Sequence, residues 1–359
     1  MSDPVNMIKE SVRALRAYSL KADRTRIKLN QNENPWDAPL AIKQETLRRL
    51  DERPWSRYPD FSPQSLHESL ASFSGWIPEG ILVGNGSNEL IQALLMVTVG
   101  AGTRVVISEP TFTLYRQITT VLGGNVISVP MSSDLNYDVD SFKQEIKSHW
   151  PAVTIICSPN NPTGCVIDRD ELIELLETSP GLIVIDEAYH EFSGESVVPL
   201  LNKHSNLVVL RTFSKAMAMA GLRVGYLLAA PRLTKEIAKA LLPYNVNIVS
   251  QIAAQVAIEQ FESSLQPLID LVCSERERLF NGLTEIEGLE PVRSRANFMI
   301  VRSAISPRRV FDELLQRDIL IRDVSSYPQL TDYFRVSVGT PAENDQLLKA
   351  LREICSPKR

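Results

Sequence analysis

The first chemically informative residue of this chain is a lysine in apolar company. Lys215 stands in Thr212-Phe213-Ser214-Lys215-Ala216-Met217-Ala218-Met219-Ala220-Gly221-Leu222-Arg223-Val224-Gly225-Tyr226, a stretch too apolar for a solvated basic loop. Desolvation and a nearby cation such as Arg223 lower an amine's proton affinity, leaving a nucleophile that forms Schiff bases with aldehydes. Asp186 ends the apolar run Leu182-Ile183-Val184-Ile185, and a carboxylate buried there needs a cationic partner. A protonated pyridine nitrogen is such a partner. Lysine and aspartate together point to pyridoxal phosphate, whose ring accepts electrons from carbanions.

Two further polar motifs follow apolar strands. Gly86-Ser87-Asn88 opens a helix, and helix N-termini offer unpaired N–H groups and partial positive charge to a phosphate. Ser87 or Asn88 would also cap that helix whatever the function. The motif is neither GxGxxG nor a Walker loop, so it does not support a dinucleotide or ATP site. Ser158-Pro159-Asn160-Asn161-Pro162-Thr163-Gly164 is complete as a turn, and Asn161 can also donate its amide to a phenolate oxygen.

The elements that must position these residues follow an α/β pattern. Apolar strands are expected at 81–83, 104–107, 125–129, 154–157, 182–185 and 207–210, alternating with helices at 89–98, 113–122 and 169–177. Strands that are unbroken apolar runs indicate a mostly parallel sheet covered by helices on both faces. Ahead of them lie an amphipathic helix near 5–16, the segment Ile27-Lys28-Leu29, a turn-rich stretch at 30–39 and helices at 41–50 and 64–74. A helical region at 234–262 and a long helix at 266–283 lead to a smaller α+β block. Its strands are expected at 297–301, 319–321 and 334–338 and its helices at 307–317 and 344–354. The expected division is an N-terminal arm (1–45), a large cofactor-binding domain (46–265) and a small C-terminal domain (266–359).

The whole chain limits the partners. Its 359 residues suit a large domain plus a smaller one, with 44% hydrophobic and 23% charged residues as in ordinary globular proteins. A net charge of −5 gives no reason to expect nucleic acid or an anionic membrane. No apolar run is long enough to span a bilayer. Cys157, Cys165, Cys273 and Cys355 form no CxxC, and the four histidines are scattered, which argues against structural zinc. Free thiols and the absence of a secretory pattern at the start lead to the expectation of a cytoplasmic protein.

Taken in order, the motifs resemble those of the fold-type I, pyridoxal-phosphate-dependent aminotransferases over nearly the full chain. Within them the chain is similar to the histidinol-phosphate aminotransferase group. The resemblance is carried by Leu29-Asn30-Gln31-Asn32-Glu33-Asn34-Pro35, Arg57-Tyr58-Pro59, Gly84-Asn85-Gly86-Ser87-Asn88-Glu89 and the Ser158 to Gly164 turn. Val184-Ile185-Asp186-Glu187-Ala188-Tyr189, the Arg211 to Gly225 segment and Tyr333-Phe334-Arg335-Val336-Ser337-Val338-Gly339-Thr340 complete it. The resemblance implies that Lys215 holds the cofactor and acts as general base, and that Asp186 pairs with the pyridine nitrogen. It implies that Asn161 and Tyr189 bond the phenolic oxygen and that Phe112 stacks on the ring. Gly86, Ser87, Asn88, Ser214 and Arg223 match the phosphate cradle. Tyr58 matches a tyrosine that reaches the phosphate from a second subunit, so a homodimer is implied.

The implied reaction is amino transfer from histidinol phosphate, with 2-oxoglutarate and glutamate closing the cycle. Arg335 is the expected oxyanion fork, with Arg322 and Tyr18 at positions that help hold the substrate phosphate and Asn297 reaching the substrate. For Arg322 the competing reading is a surface ion pair with Asp323 or Asp332; for Tyr18 it is packing of the arm. Pro243-Tyr244-Asn245-Val246-Asn247 is assigned to the pocket wall. The chain departs from the family at Trp36-Asp37-Ala38-Pro39, where a glycine usually precedes the second proline, and at Phe112, where many relatives carry tyrosine. An aromatic amino-acid aminotransferase and a threonine-phosphate decarboxylase use the same scaffold and remain alternatives. An aminotransferase-like regulator is disfavoured, since the short arm holds no helix-turn-helix domain.

Overall fold

Seven of the strands pair into one sheet whose central members are buried along almost their whole length. The computed structural model describes residues 3–17 and 25–356. In chain order its strands are β1 (Ile27–Lys28), β2 (Ile81–Gly84), β3 (Arg104–Glu109), β4 (Asn125–Pro130), β5 (Val153–Cys157), β6 (Leu182–Asp186) and β7 (Leu207–Thr212). They continue with β8 (Gly225–Ala229), β9 (Leu289–Pro291), β10 (Phe298–Ser303), β11 (Ile319–Leu320), β12 (Arg322–Asp323) and β13 (Tyr333–Ser337). The large sheet has the order β2-β8-β7-β6-β5-β3-β4. Only β8 runs against its neighbours; the other pairings are parallel. Every residue of β5, β7 and β8 is buried, as a sheet covered on both faces requires.

The register gathers the polar motifs along one edge. Cys157 lies opposite Asp186, and Asp186 opposite Leu210, so the segments after β5, β6 and β7 leave the sheet side by side. Gly84 at the end of β2 pairs with Gly225 at the start of β8. A Cβ on Gly225 would lie 2.3 Å from the backbone nitrogen of Ser87, so β8 passes beneath the helix Ser87–Thr98 only as glycine. From β3 the chain turns outward to β4 and then returns to β5 on the other side. Ligands in open α/β sheets bind where the strand order reverses in this way.

A second, antiparallel sheet, β12-β13-β10-β9, packs with the helices Gln266–Thr284, Pro307–Leu315 and Pro341–Cys355. The helix Gln266–Thr284 joins both cores: Ile269 and Val272 belong to the large one, Leu279 and Leu283 to the small one. The arm is tied down by β1 lying parallel to β11 and by the Ser337 N–H donating to the Leu29 carbonyl at 2.9 Å. Among the described residues no helix is long and apolar enough to cross a membrane.

Several elements differ from expectation. The helix near 5–16 is a 3-10 turn Pro4–Met7 followed by a short helix Glu10–Arg13; none of the residues in either is buried, so packing gives it no support. The region 234–262 is interrupted. Helix Pro231–Ile237 stops before Pro243, and a new helix, Ile248–Glu259, starts where the Asn247 side chain accepts from the Ser250 N–H. The helix Val139–His149 and the strand β8 were outside the expected set. The first is capped by Asp138 and buries Val139, Phe142 and Ile146; the second is hidden inside the motif around Lys215.

A buried ion pair secures the edge that carries the site. Arg211 Nε donates to Glu187 Oε2 at 2.9 Å, with both side chains almost wholly buried. Arg211 Nη2 donates to Ser196 Oγ at 2.6 Å, which donates to Glu187 Oε2 at 3.1 Å, while the Val197 N–H donates to Oε1 at 2.6 Å. Removing one partner strands a buried charge. Arg211→Met is expected to destabilise the protein by about 3–5 kcal/mol, read from the midpoint of urea unfolding. Arg211→Met combined with Glu187→Leu should recover most of the loss; a single change costing under about 1 kcal/mol would contradict this role.

Candidate active site

The edge described above opens into a cavity of about 350 Å³. The segments beside the large sheet contribute Ser87, Asn88, Phe112, Asn161, Asp186, Tyr189, Ser214, Lys215 and Arg223, Asn30 to Glu33 join them, and the segment from β12 to β13 adds Arg322, Tyr327 and Arg335. Twelve positions expected from sequence are thereby brought to one place, counting Gly86, the N-cap of the helix Ser87–Thr98.

Lys215 leaves the turn after β7 and donates from Nζ to the Gln31 carbonyl at 2.9 Å. Its ammonium lies 5.8 Å from the centre of the Tyr189 ring. Desolvation, with the charges of Arg335 and Arg223 added, lowers its amine to about 8. Asp186, at the end of β6, accepts from the Tyr115 hydroxyl at 2.6 Å and from the Ala188 N–H at 3.1 Å. Burial raises its carboxyl to about 6, against the opposing pull of those two donors. At neutral pH it is therefore mostly ionised.

Between these groups stand the side-wall residues. Asn161 Oδ1 accepts from Arg335 Nη1, and Arg335 Nη2 donates to the Asn30 carbonyl at 2.7 Å. The Tyr189 hydroxyl accepts from Asn32 Nδ2 at 3.1 Å, and burial raises its ionisation above the ordinary phenol value. Phe112 packs edge-on against Tyr115, with ring centres 5.5 Å apart.

The opposite end suits a phosphate. The first N–H groups of the helix Ser87–Thr98 have no intrahelical acceptor, and Gly86 precedes them at a φ of +78°. A Cβ on Gly86 would come within 2.3 Å of Arg223 Nη2, so only glycine admits the guanidinium beside the helix start. Arg223 Nη1 donates to Ser214 Oγ at 3.0 Å. Glycine, helix N-terminus, hydroxyl and arginine form a phosphate cradle. The buried carboxylate, reactive amine and aromatic face complete a donor set that fits pyridoxal phosphate.

Two expected positions are not among the residues lining the cavity. Asn297 is fully buried, and its Nδ2 donates to the carbonyls of Asn32 at 3.0 Å and Glu33 at 3.3 Å, which holds the segment that does line it. Tyr58 is 80% exposed and stacks on Tyr244 at 4.5 Å, away from the cavity of its own chain. Tyr18 lies outside the described residues. The Pro243 to Asn247 segment is also not cavity wall; Asn245 Nδ2 donates to Glu89 Oε2 at 2.7 Å behind the helix Ser87–Thr98. Among the described residues Arg322 has neither the ion pair with Asp323 nor that with Asp332, and its side chain faces the cavity. The Trp36-Asp37 departure folds outward: Trp36 packs on the large core and Asp37 pairs with Lys43. Sequence reasoning gave no role to Tyr115, Tyr327 or the carbonyls of the arm. Tyr115, three residues after Phe112, could have been found by helical spacing; a carbonyl leaves no mark in a sequence.

Fold and site together define a pyridoxal-phosphate-type transferase, and the comparisons agree. The family model for aminotransferase class I and II matches residues 24–351. A histidinol-phosphate aminotransferase 1 of Carboxydothermus hydrogenoformans is 41% identical, over 96% of this chain and 98% of that protein. A histidinol-phosphate aminotransferase of Chlorobium phaeobacteroides is 38% identical, over 98% of each. The crystal structure of histidinol-phosphate aminotransferase from Sinorhizobium meliloti in complex with pyridoxal-5'-phosphate shares the fold, with a TM-score of 0.88, 23% identity and 96% of each chain covered. The chain belongs to the aminotransferase class I and II family.

The lowered amine gives a pH test. Reductive trapping of Lys215 by a small aldehyde, followed by peptide mass spectrometry on cofactor-free protein, is expected to rise as the amine deprotonates, with a midpoint near 8. A midpoint near the ordinary lysine value of 10.5 would contradict the assignment.

Proposed function

We propose that the protein is a pyridoxal-phosphate-dependent histidinol-phosphate aminotransferase that moves the amino group of L-histidinol phosphate to 2-oxoglutarate, giving imidazole acetol phosphate and glutamate in histidine biosynthesis. The observation that carries this reading is the pair of guanidinium groups, Arg322 and Arg335, lining one cavity with Lys215. A phosphate ester carries more charge than a carboxylate and is served by an additional cation. Arg335 already holds Asn161 and Asn30, so Arg322 is the cation left to answer that charge. The relatives named above support the same substrate.

When bound, pyridoxal phosphate supplies an electron sink for a carbanion at the substrate carbon bearing the amine. Lys215 Nζ would hold the cofactor and, as a free amine, would take the proton from that carbon. Its lowered proton affinity suits a base that must both gain and lose a proton near neutral pH. Asp186 would accept the pyridine N–H, Asn161 and Tyr189 would hold the phenolic oxygen, and Phe112 would cover one ring face. Ser87, Asn88, Ser214 and Arg223 retain the phosphate. Arg322 and Arg335 orient the substrate, and the arm from Asn30 to Glu33 covers it.

The same reading makes the protein a cytoplasmic homodimer in which Tyr58 reaches the partner's cofactor phosphate. Support comes from the exposed aromatic side chains of Trp55, Tyr58 and Phe61, the last two packed on Tyr244, which are unfavourable in water. The arm (1–45), large domain (46–265) and small domain (266–359) are the units we assign.

Single half-reactions test the substrate. The loaded enzyme is mixed in turn with histidinol phosphate, phenylalanine or threonine phosphate, and the cofactor absorbance is followed. Rapid conversion to pyridoxamine phosphate is expected with histidinol phosphate and not after Lys215→Ala. Conversion with phenylalanine alone, or carbon dioxide release from threonine phosphate, would sink the reading. Arg322→Ala removes charge-assisted bonds of about 1.5–3 kcal/mol, so KM for histidinol phosphate should rise roughly 10- to 100-fold with little change for glutamate. Equal losses for both substrates would show that Arg322 does not select the phosphate.

A further inference from the structure

Tyr115 opens the helix Leu114–Leu122 directly after the Phe112-Thr113 turn. Its ring is fully buried among Val105, Ile107, Val153 and Ile155, which fixes the direction in which its hydroxyl points. That direction is the end of β6. The hydroxyl donates to Asp186 Oδ2 at 2.6 Å, while Oδ1 takes the Ala188 N–H at 3.1 Å. Each carboxylate oxygen therefore has one fixed donor, and its remaining acceptor capacity faces the cavity. Without the phenol, Oδ2 has no protein donor among the described residues, and a buried carboxylate with too few donors reverts to its neutral form.

The surrounding groups leave this task to Tyr115. Glu187 and Tyr189 flank Asp186 on its own segment, Cys157 and Tyr137 approach from the β5 side, and Lys215 comes from the turn after β7. Of these only Lys215 carries positive charge, and its Nζ donates to the Gln31 carbonyl. Burial and the charge of Asp186 push the Tyr115 phenol well above its ordinary value, so it remains a neutral donor throughout the working pH range. Tyr115 also lies edge-on to Phe112, with 5.5 Å between ring centres. One short segment thus addresses both the face of a bound ring and, through Asp186, its nitrogen.

We propose that Tyr115 is a positioning residue of the active site, its hydroxyl holding the Asp186 carboxylate charged and aimed so that a bound pyridine ring stays protonated at nitrogen. The proposal rests on the cofactor reading above. It assigns no proton transfer to Tyr115 and no contact with substrate.

The test is nitrogen NMR on holoenzyme loaded with pyridoxal phosphate isotopically labelled at the ring nitrogen, alongside the cofactor Kd. Wild type is expected to give the pyridinium signal throughout the neutral range. Tyr115→Phe keeps the packing and loses only the donor; its signal should move toward neutral pyridine as pH rises, with Kd increased about tenfold or more, the worth of a hydrogen bond to a charged group. Tyr137→Phe removes a nearby buried phenol that donates to the Cys157 carbonyl instead, and it should keep the wild-type signal. A ring-fluorinated tyrosine at position 115, a stronger donor in the same frame, should hold the pyridinium signal to higher pH, and it decides the matter should Tyr115→Phe retain too little cofactor for a spectrum. A wild-type signal and a Kd within about twofold in Tyr115→Phe would overturn the proposal. So would an equal shift in Tyr137→Phe, or no effect of the fluorinated residue. Failure of wild type to take up the cofactor would instead refute the cofactor reading.

Discussion

A carboxylate kept charged inside the protein is the constraint around which the site is built. Asp186 ends the buried strand β6 and has two protein donors in place of water. Such a group is stable as an anion only while those donors stay in register. The register comes from the sheet: Cys157 and Leu210 flank Asp186 on its two neighbours. The next residue, Glu187, is locked by Arg211, Ser196 and the Val197 N–H. The chain is thereby fixed on both sides of the one residue whose charge matters most.

The amine at the other end of the cavity is governed by the same physics with the sign reversed. Desolvation destabilises the charged form of Lys215 as it does that of Asp186, so the two ionisations move toward each other, to about 8 and about 6. Burial thus brings an acid and a base toward a common pH range. The positive charges of Arg335 and Arg223 reinforce the effect on the lysine. Those same arginines have structural work, one on Asn161 and Asn30 and the other on Ser214.

Much of this was legible in the sequence, for reasons that differ residue by residue. The strands β5, β6 and β7 are mostly apolar runs because both their faces are covered, and that pattern is visible without a structure. Lys215 and Asp186 stood out because charge is rare in such runs. The Gly86 helix start and the Asn161 turn were readable as local backbone chemistry. Strand β8 was not legible, because its residues continue the motif that begins at Arg211. The helix Val139–His149 rests on a modest apolar face, Val139, Phe142 and Ile146, behind an Asp138 cap. Asn297 was expected to reach the substrate on the resemblance alone; the bonds its amide makes to the carbonyls of Asn32 and Glu33 join residues far apart in sequence and leave no local mark. Tyr115 lacked a role for a similar reason, since 71 residues separate it from Asp186.

One feature of the arm has an evolutionary reading. The rest of the protein grips much of it by peptide carbonyls: Arg335 takes that of Asn30, Lys215 that of Gln31, and Asn297 those of Asn32 and Glu33, while Asn32 is also held by its side chain, through Tyr189 and Ser337. Every residue type carries a carbonyl. At positions 30, 31 and 33 the scaffold's hold is therefore indifferent to which residue is present, whereas Asn32 is tied by type as well as by backbone. Side chains at those three positions, which line the cavity, can change without loosening the contact to Lys215. What lines the cavity and what holds the lysine are in this way written on different atoms of the same residues.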